Sequence, residues 1–265
     1  MAEVLILTNQ WMFRRFWKSK QKEAGRTTLP KVFLQHYQDI EKQAENTARR
    51  FRLDRSLFHP CFDEATSETE FDRHYVYHPA WALRIVKALN PPQHVDISST
   101  LHFCSMLSAI VPTAFYDYRP ADLVLDNLTS SFADLTNLPF ADESVVSISC
   151  MHTIEHVGLG RYGDPLDYDG DLKAIAELKR VVAPGGSLLF VAPLGKESVI
   201  CFNAHRIYDK AQVLDLFSDM ELMDFTLIPE SGKDGGLVAD PPDELLQEQF
   251  YACGCFWFKK REVTR

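Results

Sequence analysis

The sequence predicts an α/β fold built on a mostly parallel sheet, and three observations carry that expectation. From residue 94 onward, short apolar runs alternate with amphipathic stretches, the pattern of strand–helix–strand units joined by right-handed crossovers. The run Val145–Met151 is almost continuously apolar, as a strand covered on both faces must be. Asp171–Val182 places Leu172, Ile175, Leu178, Val181 and Val182 on one helical face, and Pro184-Gly185-Gly186 then stops it.

The elements follow in chain order. Pro30–Phe51 carries Val32, Phe33, Tyr37, Ile40 and Ala44 at helical spacing. Pro79–Leu89 reads as a helix opened by proline in its first turn and closed by Asn90-Pro91-Pro92. His94–Ile97 is a short strand, Leu101–Ile110 a helix, and Thr113–Tyr118 a strand in which Phe115 and Tyr116 supply β-propensity. A third short strand is expected at Phe132–Leu135. Only about a dozen residues separate it from the second strand, near the minimum for a crossover, so its helix reduces to a turn. Ser187–Ala192 is a buried strand, Asp209–Phe217 a helix, and Glu221–Ile228 and Phe250–Phe258 the last two strands. Pro229–Gln249 between them is polar and reads as a surface insertion. The resulting division is an N-terminal helical segment, 1–78, packed on the core, followed by an α/β domain, 79–265.

Composition narrows the class. The 265 residues are 46% apolar and 25% charged, the balance of a soluble globular chain. The longest apolar runs fall far short of the ~20 residues of a membrane span. Val4–Leu7 follows no basic segment, so no secretory leader is expected. Six cysteines lack metal spacing and read as reduced thiols of a cytoplasmic protein. The net charge of −9 is divided unevenly: 12 Lys and Arg against 6 Asp and Glu in residues 1–60, and 16 against 31 in residues 61–265. An acidic body argues against a nucleic-acid groove, which needs clustered positive charge. Residues 11–22 interleave Trp11, Met12, Phe13, Phe16 and Trp17 with Arg14, Arg15, Lys18, Lys20 and Lys22. That mixture suits a weak peripheral contact with an anionic membrane. The breadth of the apolar face favours instead aromatics that cover the core.

Several pieces together resemble a known family over residues 70–258. They are Asp117, Ala133-Asp134-Leu135 followed by Leu138-Pro139-Phe140, the run Val145–Val157, and Leu178–Val182 leading into Pro184-Gly185-Gly186. This order resembles the class I S-adenosylmethionine-dependent methyltransferases. The segment His156–Pro165 together with Asn203–Tyr208 is similar to an uncharacterised branch of that family, often found among polysaccharide-biosynthesis enzymes. The resemblance implies a Rossmann-like sheet, mostly parallel with its last strand antiparallel. It implies S-adenosylmethionine as cofactor and a sugar or sugar-nucleotide hydroxyl as methyl acceptor. Ligands in such sheets sit beyond the carboxyl ends of the strands, at the point where strand order reverses.

Candidate cofactor residues follow from that placement. Asp96 would end the first strand, and Ser98, Ser99 and Thr100 would form the loop after it. Three positions that are glycine in the family hold Ser98, Thr100 and His102 here. Asp117 would accept both ribose hydroxyls, since a carboxylate can take a bidentate diol. Asp134 would accept from the adenine amino group with the Leu135 N–H facing the ring, and His152 would line the same crevice. The bland alternative is that Asp117 and Asp134 are turn carboxylates.

Four spellings need weighing. His152-Thr153-Ile154-Glu155-His156 matches a zinc-peptidase pattern, but only on a helix; here a strand precedes it and Gly158-Leu159-Gly160 follows, so no metal is expected. Gly158–Gly163 spells G-x-G-x-x-G without the helix or the acid about 20 residues on that a dinucleotide site needs, and reads as a flexible loop. Asp167–Asp171 lacks the glycine and glutamate of a calcium loop; capping of the next helix by Asp169 or Asp171 accounts for it. Asn203–Tyr208 gathers an amide, an imidazole, a guanidinium and a phenol in six residues, and strand-end loops carry function. The candidate general bases are therefore His156, His205 and Glu155, in that order, because imidazole titrates near neutrality. Arg161, Tyr162, Asn203, Arg206 and Tyr208 are the candidate acceptor-binding residues. Two other functions stay open: a catalytically inactive binding or scaffold protein, and a metal-dependent hydrolase acting through His152, Glu155 and His156.

Overall fold

The computed structural model describes residues 29–48, 51–62 and 64–262. The basic and aromatic stretch 11–22 lies outside the described residues. Two compact units divide between Thr69 and Glu70. In the first, helix α1 (Lys31–Glu45) precedes a 3₁₀ turn at Arg55–Leu57. The helix ends before the expected Phe51 because Asn46 closes it, its side-chain amide donating to the Lys42 carbonyl at 3.1 Å. Phe33 and Tyr37 meet Phe58 edge-on at 5.1 and 4.7 Å, and Arg55 pairs with Glu41 at 3.2 Å.

The second unit runs α2 (Arg73–Leu89), β1 (His94–Ile97), α3 (Leu101–Leu107), β2 (Thr113–Asp117), β3 (Leu128–Phe132), β4 (Val145–Met151), α4 (Gly170–Val181) and β5 (Val182–Leu194). It continues through β6 (Val199–Cys201), β7 (His205–Ile207), α5 (Lys210–Leu216), β8 (Met220–Ile228), β9 (Val238–Ala239), α6 (Asp243–Gln247) and β10 (Ala252–Lys260). Eight strands form one sheet in the order β3-β2-β1-β4-β5-β10-β8-β9, and β6 with β7 makes a separate hairpin. β1 to β5 pair in parallel. β10 runs antiparallel between β5 and β8. This is the mostly parallel Rossmann-like sheet with an antiparallel last strand that the resemblance implied.

Each face of the sheet has its own core, and strand alternation assigns residues to them. In β5, Leu188, Phe190 and Ala192 join Ile175 and Leu178 of α4 and Val213 of α5. Leu189 and Val191 point the other way, to Trp81 and Val86 of α2 and Phe103 and Leu107 of α3. Burial on both faces is why these strands read as continuous apolar runs.

Other elements also differ from expectation. α2 begins at Arg73, where the Asp72 side chain accepts from the Tyr75 N–H at 3.2 Å. Pro79 therefore lies inside the helix. It leaves one intrahelical bond unmade, and the helix continues because Trp81, Ala82 and Val86 bury beyond it. β3 is Leu128–Phe132, fixed by parallel pairing from Thr113↔Leu128 to Asp117↔Phe132, so Ala133–Leu135 belongs to the loop after it. β5 starts directly at Val182. Pro184-Gly185-Gly186 is an irregularity within the strand, between the pairs Val145↔Val182 and Ser147↔Ser187. Residues 229–249 are more than an insertion: β9 adds an edge strand to β8, and α6 buries Leu246.

Candidate functional site

A crevice opens beyond the carboxyl ends of β1, β2, β3 and β4. β1 sits between β2 and β4, the point where strand order reverses. Ser98, Tyr118, Arg119, Asp134, Leu135, Thr136, His152, Thr153, His156, Tyr162 and Asp164 are among the residues that line it. Ser98 holds a positive φ of 55°, uncommon for a residue with a side chain. The Ser98 N–H donates to the Tyr116 carbonyl at 2.7 Å, and the Ser98 carbonyl accepts from the Thr153 hydroxyl at 3.0 Å. Ser99 accepts from the Met151 N–H at 3.1 Å, and Thr100 caps α3 by accepting from the Phe103 N–H at 3.1 Å. The loop that replaces glycines with hydroxyls is thus tied to β2 and β4 through those hydroxyls and its backbone.

Asp96 is not in the crevice. It is fully buried, and Oδ1 accepts from the Ser99 N–H at 3.0 Å while the Ser149 hydroxyl donates to Oδ2. His94 lies behind Ser149, with Nε2 2.8 Å from Ser149 Oγ and Nδ1 2.8 Å from Ser147 Oγ. Burial pushes the Asp96 pKa up and pulls that of His94 down to about 3. Asp96 therefore holds the loop from beneath, a supporting place that strand-end position alone did not distinguish from a ligand contact. Asp117 ends β2 beside the crevice but does not line it; its Oδ1 accepts from the Arg119 N–H at 2.6 Å.

Asp134 and Leu135 do line the crevice. Asp134 Oδ1 accepts from the Thr136 N–H at 2.8 Å and from its hydroxyl at 2.7 Å. α4 holds this loop in place. Glu177 accepts from the Leu138 N–H at 2.7 Å, and Arg180 donates to the Phe140 and Leu138 carbonyls at 2.8 and 3.1 Å.

After β4 the chain makes a 3₁₀ turn, Ile154–His156, with His152 at φ 54°. Glu155 is 1% exposed and turns inward. Its Oε1 lies 2.9 Å from His152 Nδ1 and 3.6 Å from His156 Nε2. His156 Nδ1 is 2.7 Å from the Ala204 carbonyl, so it carries the proton and Nε2 keeps its lone pair. Burial lowers the pKa of His156 and, less enclosed, of His205. His205 stacks on Tyr251 at 4.8 Å, 6.4 Å from the His156 ring. Asn203 is exposed in the β6–β7 connection.

The loop Gly158–Gly163 is organised rather than loose. Asp164 Oδ2 accepts from the Gly158 and Gly160 N–H groups at 2.7 and 3.3 Å. Gly158 has φ +82°, and a Cβ there would meet the Asp167 carbonyl oxygen at 2.0 Å. The loop presents Tyr162 to the crevice with Arg119 and Arg161 over its ring at 4.5 and 5.1 Å. Arg206 and Tyr208, expected at the acceptor, are buried braces. Arg206 donates to the Val157 and Tyr168 carbonyls at 2.6 and 2.9 Å, and the Tyr208 hydroxyl donates to Asp171 at 2.9 Å. Asp171 is thus engaged by Tyr208, and Asp169 occupies the cap position without a side-chain cap bond, so neither caps α4 as expected.

The sequence reading missed His74, Tyr75 and Tyr251. His74 stacks on His152 at 5.1 Å and on Tyr251 at 5.2 Å, and Tyr75 lies 5.3 Å from His152. Burial pulls the His74 pKa down to about 4 and raises that of Tyr75 to about 12. They come from α2 and the approach to β10, so no local pattern marks them.

Residues 132–233 match a family described as "Caenorhabditis protein of unknown function, DUF268". No curated protein matches the chain. Among solved structures, the chain is similar to the YcgJ protein of Bacillus subtilis, with 17% identity over 69% of this chain and 100% of that one and a TM-score of 0.47. It is similar to the N-methyltransferase NodS of Bradyrhizobium japonicum, solved with S-adenosylhomocysteine, with 13% identity over 69% and 86% of the two chains and a TM-score of 0.48. A third is the 1,6-didemethyltoxoflavin N1-methyltransferase of Burkholderia thailandensis, with 11% identity over 87% and 86% and a TM-score of 0.49. Strand order and crevice geometry, read from this chain itself, carry the functional reading that follows.

Proposed function

We propose that the chain is an S-adenosylmethionine-dependent methyltransferase acting on a hydroxyl of a sugar or sugar nucleotide in polysaccharide biosynthesis. The observation that supports it most is convergence. Ser98, Asp134, His152 and His156 come from three different strand ends and meet in one crevice at the switch point of the sheet. When bound, S-adenosylmethionine supplies an electrophilic methyl group. The Ser98–Thr100 loop, Asp134 and Leu135 would hold it, and Asp117 would reach the ribose by releasing the Arg119 N–H.

The chain's own residues would do the rest. His156 Nε2 is the base: its lone pair is free of the Ala204 bond, and burial keeps the ring neutral near pH 7. It would take the proton of the acceptor hydroxyl as the oxygen attacks, and Glu155 at 3.6 Å would steady the imidazolium so formed. Arg119 and Arg161, flanking Tyr162, provide the positive charge for a sugar-nucleotide phosphate, with the ring as a platform for the sugar. The test is transfer of labelled methyl from S-adenosylmethionine to a panel of nucleoside-diphosphate sugars. A labelled sugar product made by the wild type and lost in His156→Ala supports the reading; labelling of no acceptor opposes it. The strained Ser98 in a glycine's place favours one other reading, a binding protein without catalysis, which binds sugar nucleotides and transfers nothing.

A further inference from the structure

Of one cluster beside the crevice, the methyl-transfer reading uses only His152. His74 of α2, His152 after β4 and Cys253 of β10 are all buried, and one donor atom from each lies within 4.8 Å of the others. We propose that these three side chains form a zinc site, with one coordination position open toward the crevice that His152 lines.

The tautomers support it. His152 Nδ1 faces Glu155 Oε1 at 2.9 Å and so carries the proton. Its Nε2 lone pair is then left buried and without a hydrogen-bond partner among the described residues. An orphaned buried polar atom is destabilising unless something satisfies it. A carboxylate behind an imidazole is the arrangement that orients metal-binding histidines and strengthens them as donors. His78 adds a second orphan: its Nδ1 is 2.7 Å from the His74 carbonyl, and its Nε2 is likewise buried and unpartnered.

Chemistry selects the ion. Imidazole nitrogen and thiolate sulfur are donors zinc takes, and a zinc held by three protein ligands keeps its fourth position open. Zinc bonds of about 2.0–2.1 Å to nitrogen and 2.3 Å to sulfur need the donors to draw in by roughly 1 Å. Binding would deprotonate the Cys253 thiol, forming the zinc–sulfur bond and releasing one proton to solvent. Two neutral imidazoles, one thiolate and the Glu155 carboxylate behind them would then balance the ion's charge. The pattern His152–His156 that spells zinc in the sequence contributes only His152; Glu155 stands behind it, and His156 turns to Ala204.

The experiment uses the purified full chain, stripped of metal and titrated with cobalt(II) and then zinc. Expected are one cobalt per chain, the near-ultraviolet thiolate-to-cobalt charge-transfer band, and its loss on adding one equivalent of zinc. Cys253→Ser should lose the band, His152→Ala should lose stoichiometric binding, and Cys255→Ser should keep both. Binding without a thiolate band, or a band unchanged in Cys253→Ser, overturns the site. Since the cluster is buried and variants can misfold, X-ray absorption of the zinc-loaded wild type decides independently. One sulfur and two imidazole nitrogens support the proposal, and an all-oxygen shell or no stoichiometric zinc refutes it. The proposal stands apart from the methyltransferase reading, because zinc binding is read here without cofactor or acceptor.

Discussion

Glu155 Oε1 accepts from His152 Nδ1 at 2.9 Å and lies 3.6 Å from His156 Nε2, so one buried carboxylate holds the first imidazole and faces the second, both of which line the crevice. Glu155→Gln keeps the shape and weakens both contacts. Turnover should fall, by less than the roughly 10²–10⁴-fold of losing the general base itself. Binding of S-adenosylhomocysteine should stay within a few-fold of wild type. A variant with full turnover would remove Glu155 from the site.

His156 and His205 can be told apart. His156 has its Nδ1 held by the Ala204 carbonyl, whereas His205 stacks on Tyr251. His156→Ala should lose turnover by about 10²–10⁴, the range for a general base, and His205→Ala far less. Steady-state rates at saturating cofactor check this; equal losses in the two variants would contradict the assignment.

Two glycines of one loop should respond differently to alanine. At Gly158 the new methyl collides with the Asp167 carbonyl, while at Gly163, also at positive φ, nothing lies within 4 Å. Gly163→Ala should cost only the roughly 1–2 kcal/mol of left-handed backbone. Gly158→Ala should cost more than about 3 kcal/mol, since backbone must move. Urea unfolding measures both, and equal losses would mean the contact with Asp167 is relieved without strain.

β1, β2, β4, β5, β8 and β10 were legible because sheet burial writes itself as apolar runs and helix burial as a 3.6-residue stripe. The places of Asp134, His152 and His156 at the crevice were legible for a related reason: they follow strands, and strand ends face the crevice. Asp96 shared that signal and is nevertheless buried, because Ser149 and the Ser99 N–H claim its oxygens from positions far apart in sequence or hidden in the turn. Arg206 and Tyr208 look like ligand-binding residues since a guanidinium and a phenol carry the same donors whether their partner is a substrate or Asp171. His74, Tyr251 and Cys253 left no trace, as only the packing of α2 and β10 brings them to His152.

Acid should weaken the fold through His94. Burial holds its folded pKa at about 3, below the ~6.5 of an unfolded chain. The unfolded state therefore binds more protons between these values. The contribution is complete above about pH 6.5 and is lost as pH falls toward 3. Asp96, whose pKa burial raises, acts with the opposite sign, losing stability as pH rises through its folded value. His94→Gln removes the first effect and keeps the second. The stability gap between wild type and variant should narrow from about pH 7 to pH 5; a constant gap would show that His94 does not titrate in this way.

The most direct measurement is calorimetry of the full chain with S-adenosylhomocysteine, paired with a melting scan. The expected result is one site per chain, a raised melting temperature, and ~10–100-fold weaker binding in Asp134→Ala, the loss of one charged hydrogen bond. Neither heat nor any shift in melting, from a chain that is folded, would contradict cofactor binding in this crevice.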